Sequence, residues 1–145
     1  MAEYLKKHNQ DNTLLINIES PTGVENLDVF FDIQSVDGLG VDGIVLGPHD
    51  LSVAYDMPEK YKSQEFLELS CGIIAKARAR GIAAGGHNGS RGNFDLQFAW
   101  AKAGANIILN SSDMFLFADK LQEEMNQIRQ MKGEQINTNN DVQSI

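Results

Sequence analysis

The sequence predicts an α/β fold built on a parallel sheet, and three observations carry the prediction. Four apolar runs, at residues 13–18, 44–46, 82–86 and 106–109, are too short for helices and read as buried strands. A longer stretch with apolar residues at helical spacing follows each of them. Glycine stands at two helix-to-strand junctions, Gly81 and Gly104, where it stops a helix just before the next run. Strands alternating with helices imply parallel strands joined by right-handed crossovers. Four such units fit either an open sheet or part of a barrel. The outer runs, Leu14-Leu15-Ile16 and Ile107-Ile108-Leu109, are apolar on both faces. Open sheets protect their edges with polar or charged residues, so these outer strands are expected to be covered by something else.

Taken in order, residues 3–10 read as the end of a helix, and Asp11-Asn12 as a turn. The first strand is apolar on both faces except at Asn17, as in sheets covered on both sides. It ends at a lone acid, Glu19. Ser20-Pro21 then reads as an N-cap with proline at the first helical position, although Thr22 and Glu25 offer a capping box instead. Val24, Leu27, Phe30 and Phe31 mark a helix stopping near Ser35. The second strand is flanked by Gly43 and by Gly47-Pro48, which stops it. A loop with Pro58 leads to Ser63, which caps a long helix running to Arg80 with Phe66, Leu69, Ile73, Ile74 and Ala77 inward. Arg78 and Arg80 suit its C-terminal dipole. The third strand, of small residues, opens into His87-Asn88-Gly89-Ser90. A third helix, residues 94–103, carries Phe98 and Trp100. After the fourth strand, Ser111, Ser112 or Asp113 caps a last helix with Met114, Ala118, Leu121, Met125 and Ile128 on one face. Residues 1–132 are read as one domain and 133–145 as a polar, disordered tail.

Composition narrows the function. The 145 residues are 42% hydrophobic with a formal net charge of -8, which argues against nucleic acid or an anionic membrane as the main partner. No apolar run spans a bilayer, and the segment from Met1 to Lys7 lacks the apolar core of a signal peptide, so a cytoplasmic location is expected. The single cysteine, Cys71, excludes an internal disulfide and any multi-cysteine metal site; it reads as a small core residue. Ser, Cys and His show no spacing suggesting a nucleophilic triad, and no Gly-x-Gly-x-x-Gly or Walker-type loop is present.

The informative acids are Glu19 and Asp50, at the C-terminal ends of successive strands. Ligands bind at that end in parallel α/β folds. Neighbouring strands lie roughly 5 Å apart, so two carboxylates there can share one hard divalent cation such as magnesium or manganese. The competing reading is a pair of capping acids, Asp50 serving only the turn Leu51-Ser52-Val53. His87, at the end of the third strand, is a base, a ligand or a hydrogen-bonded loop residue. His49 either joins the site or shapes the turn. Gly47 and Gly85-Gly86 would let an anion approach backbone N–H groups.

Two motifs then carry a resemblance. Ile18-Glu19-Ser20-Pro21-Thr22-Gly23-Val24-Glu25-Asn26-Leu27, followed by Val41-Asp42-Gly43-Ile44-Val45-Leu46-Gly47-Pro48-His49-Asp50-Leu51-Ser52, resembles the HpcH/HpaI aldolase family. These are class II pyruvate aldolases of the phosphoenolpyruvate/pyruvate barrel superfamily. The likeness runs from about Tyr4 to about Lys132, and Ala83-Ala84-Gly85 and Ser111-Ser112-Asp113 fit weaker later motifs. It implies that the four units are the C-terminal half of a TIM (β/α)8 barrel. It implies a divalent metal, magnesium or manganese with cobalt a third candidate, held by Glu19 and Asp50. It implies that backbone groups from Pro48 through His49 to Asp50, and the turn at Ser20, bind the pyruvate carboxylate. Asn17 stands where the family usually has glutamine. The family's base histidine and enolate-stabilising arginine belong to early strands, so neither role is assigned here; His87 and Arg91 are the basic residues nearest the site.

The resemblance therefore implies cleavage of a 2-keto-4-hydroxy acid to pyruvate and an aldehyde, incomplete in this chain alone. The alternatives are an enzyme like the citryl- and malyl-CoA lyases, disfavoured by the lack of a basic cluster for coenzyme A, and a non-catalytic half-barrel that binds metal and keto-acid. Expected partners are a pyruvate or 2-keto acid substrate and either further copies, with the last helix exchanged between subunits, or a complementary N-terminal half-barrel. The chain is equally readable as a fragment, a truncated product or half of a split barrel.

Overall fold

The computed structural model describes residues 11–32, 40–88 and 94–133. The readings made for residues 3–10, for the end of the first helix near Ser35, for Gly89, Ser90 and Arg91, and for the tail beyond Gly133 lie outside them. Two compact units make up the chain, Met1–Asn110 and Ser111–Ile145.

The first unit is a four-stranded parallel sheet in sequence order: β1 (Leu15–Ile18), β2 (Gly43–Leu46), β3 (Ala83–Asn88) and β4 (Ile107–Asn110). Its helices are α1 (Pro21–Glu25), α2 (Leu27–Asp32), α3 (Pro48–Ala54), α4 (Gln64–Ala79) and α5 (Phe94–Lys102). The alternation predicted from sequence is present, with parallel strands throughout. Register aligns Ile18 with Leu46, Leu46 with Gly86, and Gly86 with Ile108. One row of residues thus marks the C-terminal end of the sheet, and Glu19, Gly47 and His87 each follow that row by one position.

Local chemistry explains the element ends. Ser20 caps α1, its hydroxyl accepting from Gly23 N, and Pro21 takes the first turn, so this arrangement prevails over the Thr22–Glu25 box. The single helix expected here is two. Asn26 donates its side-chain amide and its backbone N–H to Thr22 O, and this competition with the regular ladder separates α1 from α2. Helix α4 follows the prediction closely: Ser63 accepts from Phe66 N, Arg80 is the C-cap, and Gly81 adopts a φ of 77°, a left-handed conformation natural for glycine.

The core lies between the sheet and helices α2 to α5. Strand β2 is buried along its whole length. Leu27 and Phe31 of α2, Leu51 of α3, Phe66, Ile73, Ile74 and Ala77 of α4, and Leu96 and Trp100 of α5 close over it. Leu69 packs at the margin of this cluster, while Ser70 is buried and bonds back to Leu67 O. Phe98, on the opposite face of α5 from Trp100, is exposed. Cys71 is half-buried against the core, and desolvation pushes its thiol above the ordinary range.

The two outer strands contrast with β2. Leu14 and Leu15 are 53% and 42% exposed, and Ile108 and Leu109 are 48% and 44% exposed. Among the described residues these apolar side chains of the outer strands are exposed. The second unit contains α6 (Asp113–Met131), capped by Ser112, whose hydroxyl accepts from Phe115 N. No residue of α6 is buried. Among the described residues no helix is long and apolar enough to cross a membrane.

Candidate active site at the C-terminal end of the sheet

A cleft of about 360 Å3 opens at the C-terminal ends of β1, β2 and β3. Glu19, Gly47, Pro48, His49, Asp50, Tyr61 and His87 line it. The strand register brings Glu19, Gly47 and His87 there, and the first turn of α3 adds Pro48, His49 and Asp50.

Glu19 is positioned by its neighbours on both sides. The Asn17 side-chain amide donates to Glu19 Oε1 at 2.6 Å. Across the strand pair, Gly47 N donates to Ile18 O at 3.3 Å, which draws the start of α3 against β1. A side chain at Gly47 would overlap the Glu19 carboxylate. Gly47, read from sequence as a strand stop, thus also makes room for a charged side chain. Gly86 does the same for packing, since any Cβ there would enter the ring of Trp100. At Gly85 a Cβ would strike the backbone of Ile107, so glycine lets β3 and β4 pair.

The other wall centres on His49. Its Nδ1 lies 3.3 Å from the Tyr61 hydroxyl, and its carbonyl accepts from Ser52 Oγ at 2.8 Å. Ser52 is fully buried. Tyr61 is half-buried and stands edge-on to Phe66, with centroids 5.9 Å apart. Desolvation raises the Tyr61 phenol above its usual range; Glu59 and Asp50 push the same way, and the Ser52 hydroxyl opposes them.

Of the residues singled out from sequence, Glu19, Pro48, His49, Asp50 and His87 share this cleft. Ser20 is not among its lining residues, its hydroxyl being committed to the cap of α1. Sequence reasoning missed Tyr61, a loop residue that belongs to no motif. Among the described residues no group of three or more His, Cys, Asp or Glu side chains is placed to hold one metal ion. Glu19 and Asp50 supply two carboxylates, a donor set that suits a hard cation keeping several waters.

The sequence profile of the HpcH/HpaI aldolase/citrate lyase family matches residues 2–119. The chain belongs to this family. It is 30% identical over 125 residues to a 2-keto-3-deoxy-L-rhamnonate aldolase of Escherichia coli, an alignment covering 86% of this chain and 44% of that protein. Its fold is similar to that of the HpcH/HpaI aldolase from Desulfitobacterium hafniense DCB-2, with a TM-score of 0.69 and 22% identity, over 88% of this chain and 47% of the other. It is also similar to the citrate synthase SbnG, with a TM-score of 0.66 and 21% identity, over 92% and 51%. The chain thus spans about half the length of the family members it matches, and its four βα units correspond to half of a TIM-type barrel.

Proposed function

We propose that this chain carries the metal- and keto-acid-binding half of a divalent-metal-dependent aldolase that cleaves a 2-keto-4-hydroxy acid to pyruvate and an aldehyde. The observation that supports it most is the sharing of one cleft by Glu19 and Asp50, carboxylates from two different βα units. The name of the E. coli relative, a keto-deoxy sugar acid aldolase, points to the same chemistry.

In this reading Glu19 and Asp50 hold magnesium or manganese, with cobalt a third candidate. When bound, such an ion supplies Lewis-acid polarisation of the keto-acid. The chain's own residues do the rest of the binding. Asn17 and Gly47 fix the Glu19 carboxylate, while the backbone of the turn from Pro48 to Asp50 receives the keto-acid carboxylate. Retro-aldol cleavage removes the proton of the 4-hydroxyl, breaks the C3–C4 bond, and leaves the electron pair on C3, which a proton then converts to the methyl group of pyruvate. The base for the hydroxyl and a cation beside the developing oxyanion come from a complementary N-terminal half-barrel. That half also covers β1 and β4, whose open apolar edges would otherwise favour self-association.

Two measurements follow. With manganese, the 145-residue chain is expected to exchange the methyl protons of pyruvate with deuterated water slowly and only while metal is present. An N-terminal half-barrel from a family member should accelerate turnover about 10² to 10⁴-fold, the usual worth of general acid–base assistance. Exchange that persists in excess EDTA, or rapid retro-aldol turnover by a monodisperse monomer, would count against the proposal. Asn17→Ala should weaken manganese binding by about tenfold, as expected when a group orienting a metal ligand is removed. Unchanged affinity would show that Asn17 does not position Glu19.

A further inference from the structure

The side chains of His49 and Tyr61 take no part in the chemistry above, which draws only on the backbone of the turn at His49. His49 fills the variable position of the Gly-Pro-x-Asp-Leu-Ser motif, and Tyr61 comes from the loop between α3 and α4, yet both line the cleft that holds Glu19 and Asp50. The pair is built rather than incidental. Tyr61 is held edge-on against the buried Phe66, and the buried Ser52 clamps the His49 backbone. The phenol occupies Nδ1 of the imidazole. That leaves Nε2 as the ring's one remaining polar atom on an exposed residue.

Building on the aldolase reading, we propose that His49 and Tyr61 form the specificity wall of this cleft, recognising a hydroxyl group on the aldehyde-derived part of the substrate. Two features favour a hydroxyl over a second carboxylate. The described lining residues include two acids and neither lysine nor arginine, so from this wall a further carboxylate on the substrate meets repulsion and no counter-charge. The hydrogen-bond roles point the same way. The single Ser52 hydroxyl proton is given to His49 O. The Tyr61 hydroxyl, which neighbours Ser52, either donates to His49 Nδ1 or accepts from it. In a neutral imidazole Nε2 is a donor in the first case and an acceptor in the second. A hydroxyl, being both donor and acceptor, satisfies either arrangement, whereas an ionised carboxylate satisfies only the first.

The test uses the full 145-residue chain with manganese and two probes, pyruvate and 2-keto-3-deoxygluconate, with affinities measured by titration calorimetry. Tyr61→Phe keeps the contact with Phe66 and removes only the hydroxyl. It is expected to weaken 2-keto-3-deoxygluconate about fivefold, the worth of one ordinary hydrogen bond, while pyruvate changes by less than about twofold. Nitrogen-15 shifts of the His49 ring should report one dominant tautomer in the natural protein and a mixture in Tyr61→Phe, a readout that loosened packing alone would not give. Equal weakening of both probes, or no weakening of either, overturns the specificity wall while leaving the aldolase reading in place. Failure of the natural chain to bind either probe with manganese overturns both.

Discussion

Replacing Glu19 or Asp50 by alanine is expected to abolish measurable divalent-cation binding, with loss of at least about 100-fold in manganese affinity for either variant. The expectation follows from the small number of donors. The cleft offers two carboxylates and no third clustered ligand among the described residues, so under the proposed function each removal would take away half of the charge the protein places on a cation. Even groups that merely orient a ligand are worth about 10 to 100-fold. Electron paramagnetic resonance of free manganese checks this directly. Unchanged affinity in both variants would reject the site. A loss confined to Asp50→Ala would leave Glu19 as a residue that only packs against Gly47. Glu19→Gln is a useful control, because it retains the hydrogen-bonding shape beside Asn17 while removing the charge.

The largest effect on stability is expected at Trp100. Its side chain is fully buried, its ring rests where Gly86 has no side chain, and among the described residues its Nε1 has no hydrogen-bond partner. Trp100→Ala removes the largest fully buried side chain and should cost about 3–5 kcal/mol, the range for aromatic truncation in a core. Trp100→Phe should cost much less, because it also removes an unpartnered buried N–H group. Gly86→Val, which drives a side chain into the ring, should resemble Trp100→Ala. Urea denaturation followed by circular dichroism separates these outcomes. A cost below about 1 kcal/mol for Trp100→Ala would mean that α5 packs on β3 more loosely than its burial indicates.

Much of this arrangement is legible in the sequence because its signals are local. Ser63 and Gly81 bracket α4 through capping chemistry that depends on a few neighbouring residues. Apolar runs between glycines announce β2 and β3. Glu19 and Asp50 stand out as lone acids at strand ends. What stays hidden depends on distant partners. Tyr61 reaches the cleft only because α3 and the following loop fold back toward β2. The demand for glycine at position 47 comes from Glu19, in another βα unit. Helix α3 reads as a turn because its first residues look like a strand stop. The division of the first helix at Asn26 turns on one side-chain amide choosing Thr22 O over water. Outer strands apolar on both faces point to cover from something other than their own sheet, and Leu14, Leu15, Ile108 and Leu109 are exposed among the described residues.

The order of the sheet also has a kinetic side. Each strand pairs only with those adjacent in sequence, so each pairing closes no more than one crossover. The entropy of loop closure grows slowly with loop length, and chains whose contacts are short-range in sequence fold faster than those that must join distant segments. The sheet can therefore form from one βα unit to the next. Leu15, Ile108 and Leu109 are exposed in the finished sheet and face water while it forms. During that interval the chain resembles a folding intermediate with unpaired strands, the species most exposed to edge-to-edge aggregation. Its yield in a cell should consequently fall as its concentration rises.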